Sequence, residues 1–195
     1  MKEVIKNRSL LMCAVVMMLV LSLFSSDIFL PALPEIARQF NVTPSQGQKM
    51  LGYFLFGVAL MQLIYGPLSD SVGRKRLLVF GTSLFIVATF AINFARSFDQ
   101  VLALRMIQAV GASASIVLGR AIIGDLFSKE EAGKIFLTIF PIVGMSPALA
   151  PMIGGQIANV FGWQACFIFA GLFGIVLLGL TLTVVPETLP PAKRN

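Results

Sequence analysis

Charged residues are scarce in this sequence, and histidine is absent from it. Charged side chains make up 12% of the 195 residues, whereas a soluble domain carries about 25%. So few charges cannot cover a core of this size with a polar surface, which excludes a soluble globular protein. Without histidine, and without a cluster of cysteines and acidic residues, we expect no metal site and no bound cofactor.

Long apolar runs occupy most of the chain instead. Hydrophobic residues make up 57% of it, and the mean hydropathy is +0.88. A membrane-spanning helix needs about 20 mostly apolar residues, and these runs are too long and too uniform for membrane-spanning strands. The sequence therefore predicts an all-α membrane protein with six spans. They lie at about residues 9–30, 46–68, 77–95, 100–125, 133–158 and 163–186.

The two cysteines, Cys13 and Cys166, fall early in the first and sixth spans. These spans run in opposite directions, so the two residues lie roughly 20 Å apart in depth at about 1.5 Å per helical residue. This distance is too long for a disulfide bond.

The basic residues predict the orientation of the spans. With the N-terminus inside the cell, ten lysines and arginines lie on the cytoplasmic side and three on the outer side, so the positive-inside rule places both termini in the cytoplasm. This asymmetry explains the net charge of +6, and we expect no nucleic-acid partner. The cytoplasmic residues are Lys2, Lys6, Arg8, Arg74, Lys75, Arg76, Lys129, Lys134, Lys193 and Arg194, and the outer ones are Arg38, Lys49 and Arg96.

The densest group of charges is the segment "GPLSDSVGRKR" at residues 66–76, between the second and third spans. Gly66 and Pro67 are expected to end the second helix, and Gly73 supplies a residue that tolerates a positive φ. A basic loop that only sets the topology would explain the three cations. It would not explain why Asp70 precedes Arg74 by four residues.

This segment resembles the loop signature of the major facilitator superfamily, G-x-x-x-D-[RK]-x-G-R-[RK], with Ser71 at the place of a usual base. In that family the loop locks the outward-facing state by pairing with the cytoplasmic end of the fourth helix, where Asp125 lies in this sequence. The matching residues are Gly66, Asp70, Gly73, Arg74 and Lys75.

Two further segments resemble motifs of the same family. In the fourth span, "LALRMIQAVGAS" is similar to R-x-x-Q-G-x-G through Arg105, Gln108 and Gly111, with Ala109 at a usual glycine. In the fifth span, "PALAPMIGG" is similar to the antiporter motif that ends G-P-x-x-G-G, with Ala150 at its first glycine. The matching residues of the fifth span are Pro151, Gly154 and Gly155.

Together with "SDIFLPALPEIA", "GRAIIGDLF", "GWQACF" and "PETLP", these segments resemble the bicyclomycin/chloramphenicol-resistance (Bcr/CflA) branch of drug:proton antiporters. The resemblance covers essentially the whole chain, 1–195, as one six-helix bundle. Members of the family have twelve helices, so it implies the N-terminal half of a major facilitator fold, a 3+3 inverted repeat. It also implies a drug-like substrate and a proton gradient as the source of energy.

Asp27 and Arg105 are charged residues of the predicted spans that lie at similar depth, about 27 Å and about 30 Å above the inner interface at 1.5 Å per residue. If the first and fourth spans are neighbours, the two can pair. Asp27 would then be a proton carrier, because burial and a nearby arginine have opposite effects on the proton affinity of a carboxyl group. Alternatively, Asp27 ends the first helix in water and Arg105 extends outward to the interface.

Other residues of the spans have two interpretations each. Arg120 is expected to make a structural ion pair near the inner interface or to line the cavity. Gln62 lines the cavity or forms a hydrogen bond between helices. The prolines and glycines of the fifth span indicate tight helix packing or a bend that seals the cavity against proton leak. They are Pro141, Gly144, Pro147, Pro151, Gly154 and Gly155.

The expected function is proton-coupled efflux of small hydrophobic drugs across the cytoplasmic membrane by alternating access, and not an enzymatic reaction. ATP-driven transport is disfavoured because "GKIF" lacks the glycine spacing of a P-loop. The expected partners are the drug, protons, the lipid bilayer and a second six-helix half. A homodimeric half-size transporter and a non-transporting regulatory membrane protein are the alternatives. The tail "PETLPPAKRN" looks like the start of the family's central linker, which favours a fragment of a longer antiporter.

Overall fold

The computed structural model describes residues 8–189, which form eight α-helices and one 3₁₀ turn, with no strand in this range. Lys2, Lys6, Lys193 and Arg194, which contribute to the predicted orientation, lie outside the described residues. The helices are α1 (Arg8–Asp27), α2 (Leu33–Gln39), α3 (Pro44–Gly47), α4 (Lys49–Val72), α5 (Arg74–Ile92), α6 (Phe98–Leu126), α7 (Lys129–Phe161) and α8 (Trp163–Thr183), with the 3₁₀ turn at Leu30–Ala32.

Six helical stretches within residues 8–189 are long and apolar enough to cross a membrane. α1 leads through the 3₁₀ turn into α2, α3 leads into α4, and each of the helices α5 to α8 forms a stretch by itself. The stretches correspond one to one to the predicted spans. The prediction of an all-α protein with six spans is confirmed.

The junction between α4 and α5 differs from the prediction. We expected Gly66 and Pro67 to end the second span, but α4 continues through both residues to Val72. A proline removes one helical hydrogen bond without ending the helix here. The helix ends at Gly73, whose φ of 105° is a conformation that favours glycine. α5 begins directly afterwards at Arg74, so the basic residues form the first turn of a helix and not a loop.

α7 is the longest helix, with 33 residues. It begins before the predicted start because Ser128 and Glu131 form a capping box, in which each side chain accepts a hydrogen bond from the backbone of the other residue. The helix continues through Pro141, Pro147 and Pro151. It ends at Gly162, whose φ is 82°.

Small residues allow α5 and α6 to approach each other closely. A Cβ atom on Gly111 of α6 would lie 2.4 Å from the backbone nitrogen of Phe85, and one on Gly81 of α5 would lie 2.3 Å from the Cβ atom of Ala114. Both distances are shorter than any van der Waals contact. Gly111, predicted from its motif, therefore has a packing role at this contact.

α7 packs in the same way against the end of α1. A Cβ atom on Gly154 would lie 1.7 Å from the carbonyl oxygen of Ile28, and one on Gly155 would lie 3.6 Å from Cβ of Pro31. Gly154 and Ala150 are buried at this contact. Of the two interpretations of the fifth span, tight packing is therefore observed in the C-terminal half of the helix.

The helices differ in how much of their surface they bury. α1 and α6 bury about half of their residues, whereas α4 and α7 leave large apolar side chains exposed, among them Phe56, Leu63, Leu137 and Met152. Lipid, or further protein, can cover such surfaces. The charged residues described next lie between or beside these helices.

Candidate functional site

Arg105 occupies the centre of the first candidate site, and its side chain is 0% exposed. It lies on α6 and reaches two other helices through backbone carbonyls. Nη1 donates to the carbonyl oxygen of Ser25 on α1 at 3.2 Å, and Nε donates to that of Met50 on α4 at 3.3 Å. Nη1 also donates to Oε1 of Gln108, one turn along α6, at 2.6 Å. The alternative that Arg105 extends outward to the interface is wrong.

The position of Ser25 explains why its carbonyl is free to accept this bond. The last four carbonyl groups of an α-helix have no partner within the helix, and α1 ends at Asp27, two residues beyond Ser25. The negative end of a helix dipole also attracts a cation. Arg105 therefore binds one of the free carbonyls at the C-terminal end of α1 and places a positive charge there.

Three aromatic rings surround the guanidinium group. The Cζ atom of Arg105 lies 4.2 Å from the ring centroid of Phe54, 4.6 Å from that of Phe29 and 5.8 Å from that of Phe167. A cation over an aromatic face gains about 2 kcal/mol or more when both are removed from water. These rings compensate part of the cost of burying a positive charge.

Gln108 extends the hydrogen bonds of Arg105 to α5. Its Nε2 atom donates to Oγ1 of Thr89 at 2.7 Å. The hydroxyl group of Thr89 in turn donates to the carbonyl oxygen of Phe85 at 2.5 Å. Gln108 and Thr89 are both 0% exposed. Arg105 is thus connected to α1, α4 and α5.

Asp27 is half-buried at the end of α1, and its Oδ1 accepts a hydrogen bond from Oγ of Ser26 at 2.9 Å. Within residues 8–189, the structure records no ion pair between Asp27 and Arg105. Because Arg105 binds Ser25, two residues before Asp27, the two charged groups lie in the same layer of the bundle. α1 and α6 are neighbours, as the predicted pairing requires.

Arg74 forms the centre of a second charged site, at the junction of α4 and α5. Its Nη2 lies 2.8 Å from Oδ1 of Asp70, and its Nε lies 3.2 Å from Oδ2 of Asp125, near the end of α6. Its Nη1 also binds the hydroxyl group of Ser69. The structure thus brings together the Asp70, Arg74 and Asp125 side chains that the loop signature predicts as a lock, at a turn made by Gly73.

The segment that follows α8 joins this second site. The backbone N–H of Arg74 donates to Oε1 of Glu187 at 2.9 Å, and Oγ1 of Thr188 donates to Oδ2 of Asp125 at 2.7 Å. Lys75, predicted from the motif, donates from Nζ to the carbonyl oxygen of Leu182 at 2.9 Å. The end of the sixth span is therefore bound to the same charged residues.

Several predicted residues lie outside both sites. Arg120 is exposed on α6, and for it the described part of the chain offers no ion pair, so the expected structural pairing is not observed. Gln62 is exposed on α4. Gly66 lies inside α4 with no neighbouring atom near its missing side chain, and the same holds for Gly144 on α7. Pro147 is exposed, and Pro151 is partly buried.

Two grooves of the size of a small ligand lie elsewhere on the bundle. One has a volume of about 440 Å³ and lies between α1 and α7, with Met12 and Ile139 among its lining residues. The other, of about 490 Å³, includes Tyr53 and lies between α4 and α6. Ligand pockets in proteins usually measure about 300–1,000 Å³. Both grooves are lined mainly by apolar groups; Arg8, Lys134 and Glu131 also line the first, and Lys49 also lines the second.

The sequence analysis missed several residues of these sites. Backbone carbonyls bind Arg105, and they leave no signal in a sequence, because every residue type carries one. Thr89 carries no charge and belongs to none of the recognised motifs. Glu187 and Thr188 lie in the recognised "PETLP" segment, so the resemblance pointed to the segment without indicating its contacts. The missed residues include Ser25, Met50, Thr89, Glu187 and Thr188, as well as Ser69 and the aromatic residues around Arg105.

Comparisons with known proteins agree with this architecture. The family model described as the Major Facilitator Superfamily matches residues 15–195. A bicyclomycin resistance protein homolog of Haemophilus influenzae is 36% identical over 165 residues, which are 85% of this chain and 42% of the relative. A chloramphenicol resistance protein of Pseudomonas aeruginosa is 34% identical over 163 residues, which are 83% of this chain and 39% of the relative.

A solved structure shows the same fold. The crystal structure of the human organic anion transporter MFSD10 (TETRAN) superimposes with a TM-score of 0.71 at 22% identity. The match covers 95% of this chain and 49% of that one. The chain thus spans about half the length of the proteins that it matches.

Proposed function

Because the chain belongs to the Major Facilitator Superfamily, a family of membrane transporters, we propose that it is one six-helix half of an exporter that exchanges small hydrophobic drugs for protons. The drug-resistance names of its relatives support the drug as substrate. The six apolar stretches make it a multi-pass membrane protein. We place it in the cytoplasmic membrane with both termini inside, because this orientation agrees with the positive-inside rule.

The observation that carries the proposal is the buried charge of Arg105, in the same layer of the bundle as the half-buried carboxyl group of Asp27. An arginine at the centre of a spanning helix costs about 2.5–3.5 kcal/mol on insertion scales. A protein that served only as a scaffold would have no need to bury a charge at this cost. Charged residues within membrane spans typically mark the paths of substrates, ions or protons.

Asp27 is the proposed proton carrier. When the cavity opens outward, water reaches the carboxyl group and it takes up a proton; when the cavity opens inward, the proton leaves. The environment of the carboxyl group changes between these states because opening of the cavity to one side or the other alters how far water reaches it. The membrane potential drives the inward step, with about 2.3 kcal/mol per 100 mV for each charge moved.

The Arg74 site is the proposed conformational lock. The ion pairs of Arg74 hold the junction of α4 and α5 against the end of α6. Alternating access requires one bundle to rock against another around a central site. A second six-helix half, or a second copy of this chain, would supply the other bundle. Breaking the contacts of Arg74 would release the outward-facing state.

The test of the proton carrier is the variant Asp27→Asn, which keeps the shape of the side chain and removes its proton exchange. The matched control is Asp99→Asn, an exposed aspartate at the start of α6. Chloramphenicol is the probe, and its export from cells and vesicles is driven by an imposed pH gradient. The full chain is tested both alone and together with the C-terminal half of a relative.

We expect Asp27→Asn to abolish export that depends on the pH gradient and Asp99→Asn to retain it. Unchanged coupling in Asp27→Asn would exclude Asp27 as the carrier. If the unaltered chain confers no chloramphenicol export in either assembly, the proposal of drug efflux fails for this substrate class.

A further inference from the structure

The buried threonine of α5 in the Arg105 site has a defined direction of hydrogen bonding. A threonine hydroxyl has one hydrogen, and that of Thr89 points to the carbonyl oxygen of Phe85. Its oxygen can therefore only accept a hydrogen bond from the next polar group, which is Nε2 of Gln108. Thr89 thus determines which end of the Gln108 amide faces α5.

The orientation of the Gln108 amide group determines whether its oxygen or its NH₂ group faces Arg105. Arginine carries donors and no acceptor, so it needs the oxygen of Gln108 and is repelled by the NH₂ group. With Nε2 held by Thr89, Oε1 faces Nη1 of Arg105 at 2.6 Å. The hydrogen bonds then run in one direction, from Arg105 through Gln108 and Thr89 to the backbone of α5.

We propose that Thr89 is a positioning residue for Arg105 and acts through the side-chain amide of Gln108. The importance of this role for transport rests on the function proposed above, in which Arg105 works with Asp27. The positioning itself is a property of the buried hydrogen bonds and does not depend on that function.

The positioning of Arg105 fixes the direction of one nitrogen of its guanidinium group, Nη2. Nη1 and Nε of Arg105 are held by Gln108, Ser25 and Met50. Nη2 is buried and has no hydrogen-bond partner among the residues that the structure describes. With the other two nitrogens fixed, the direction of Nη2 is fixed as well, so it is the donor that remains for the oxygen of a water molecule or of a carboxylate.

α5 offers a matched control for this proposal. Thr82 lies seven residues before Thr89 on the same helix and is also 0% exposed. Its hydroxyl group has no hydrogen-bond partner within the described residues, and it does not contact Gln108 or Arg105 by a hydrogen bond. Thr82→Val and Thr89→Val make the same change in the same helix, but only Thr89→Val breaks the connection to Arg105.

The first experiment measures Arg105 directly in the full chain, in lipid nanodiscs, by NMR with ¹⁵N-labelled arginine. The side-chain Nε–H signal of Arg105 is assigned by its absence in Arg105→Lys. We expect Thr89→Val to accelerate hydrogen exchange of this signal about tenfold. The amide of Gln108 is then free to rotate away from Nη1, so the whole guanidinium group, including the bond of Nε to Met50, is held less firmly. Thr89→Ser, which restores the hydroxyl group, and Thr82→Val should both exchange like the unaltered chain.

Three results would overturn the proposal. They are an unchanged exchange rate in Thr89→Val, an equal acceleration in Thr89→Ser, and an equal acceleration in Thr82→Val. The last two results would show that Thr89 acts only through packing.

The second experiment measures chloramphenicol export driven by a pH gradient, with the same variants. We expect Thr89→Val to lose export that Thr89→Ser and Thr82→Val retain. If even the unaltered chain shows no export driven by the gradient, the proposed function fails, whereas the exchange rates still decide the role of Thr89. If Thr89→Val changes the exchange rate and retains full export, the position of Arg105 has no part in the transport step.

Discussion

Arg74 binds three side chains at once because its guanidinium group presents several donors in a planar fork. Nη2 faces Asp70, Nε faces Asp125 and Nη1 faces Ser69. A lysine has a single charged nitrogen and cannot reproduce this geometry. The loop signature of the family allows either base at the next position, occupied by Lys75, and there the structure shows a single bond to a backbone carbonyl.

The two carboxylates of this site should contribute unequally to stability. The side chain of Asp70 is 52% exposed, and exposed ion pairs contribute about 0–1 kcal/mol. Asp125 is 27% exposed and accepts bonds from both Arg74 and Thr188, so its removal leaves two partly buried donors without a partner, at a cost of about 1–3 kcal/mol. We therefore expect Asp125→Ala to lower the thermal unfolding temperature in mild detergent more than Asp70→Ala does. Equal losses would contradict the importance of burial at this site.

At the scale of the helix, the contact of α7 with the end of α1 depends on one missing side chain. Gly154→Ala would place a Cβ atom 1.7 Å from the carbonyl oxygen of Ile28, so one helix must move. Overpacking of this kind costs about 1–3 kcal/mol, and sometimes more. Gly133→Ala is the control on the same helix, because no atom lies within 4 Å of its new Cβ. We expect a large loss of thermal stability in Gly154→Ala and none in Gly133→Ala, and a tolerated Gly154→Ala would refute the close contact.

Helix positions could be predicted from the sequence, whereas some helix ends could not. A run of about 20 apolar residues has few stable conformations in lipid other than a helix, which explains the success with all six spans. We expected Pro67 to end a helix because proline often ends helices in soluble proteins. In α4 the next residue free to take a positive φ is Gly73, and the helix continues until it reaches this residue.

Some residues of the candidate sites could be identified from the sequence, and others could not. Charged residues in an apolar sequence stand out, so Asp27, Arg105, Arg74 and Asp125 could all be identified in advance. Their partners could not be identified when these are backbone atoms far away in the sequence. The carbonyls that bind Arg105 belong to residues 80 and 55 positions away.

For the whole molecule, the orientation in the membrane remains a prediction from the distribution of charge. Two exposed residues on opposite sides can report it, Arg96 before α6 and Glu130 at the start of α7. In a chain without Cys13 and Cys166, we expect a membrane-impermeant maleimide to label Glu130→Cys in inside-out vesicles and Arg96→Cys in right-side-out vesicles. The opposite pattern would reverse the direction of transport proposed above.

The bond between Arg105 and the end of α1 also has a consequence for how the chain is made. α1 leaves the ribosome before α6, so the carbonyl of Ser25 cannot bind Arg105 until 80 further residues have been synthesised. Arg105 is costly to insert into lipid by itself, and its aromatic and carbonyl partners on α1 and α4 lower that cost only if those helices are still beside the translocon. The insertion of α6 should therefore be a cooperative step, in which the earlier helices provide hydrogen-bond acceptors and aromatic rings for the charge of Arg105.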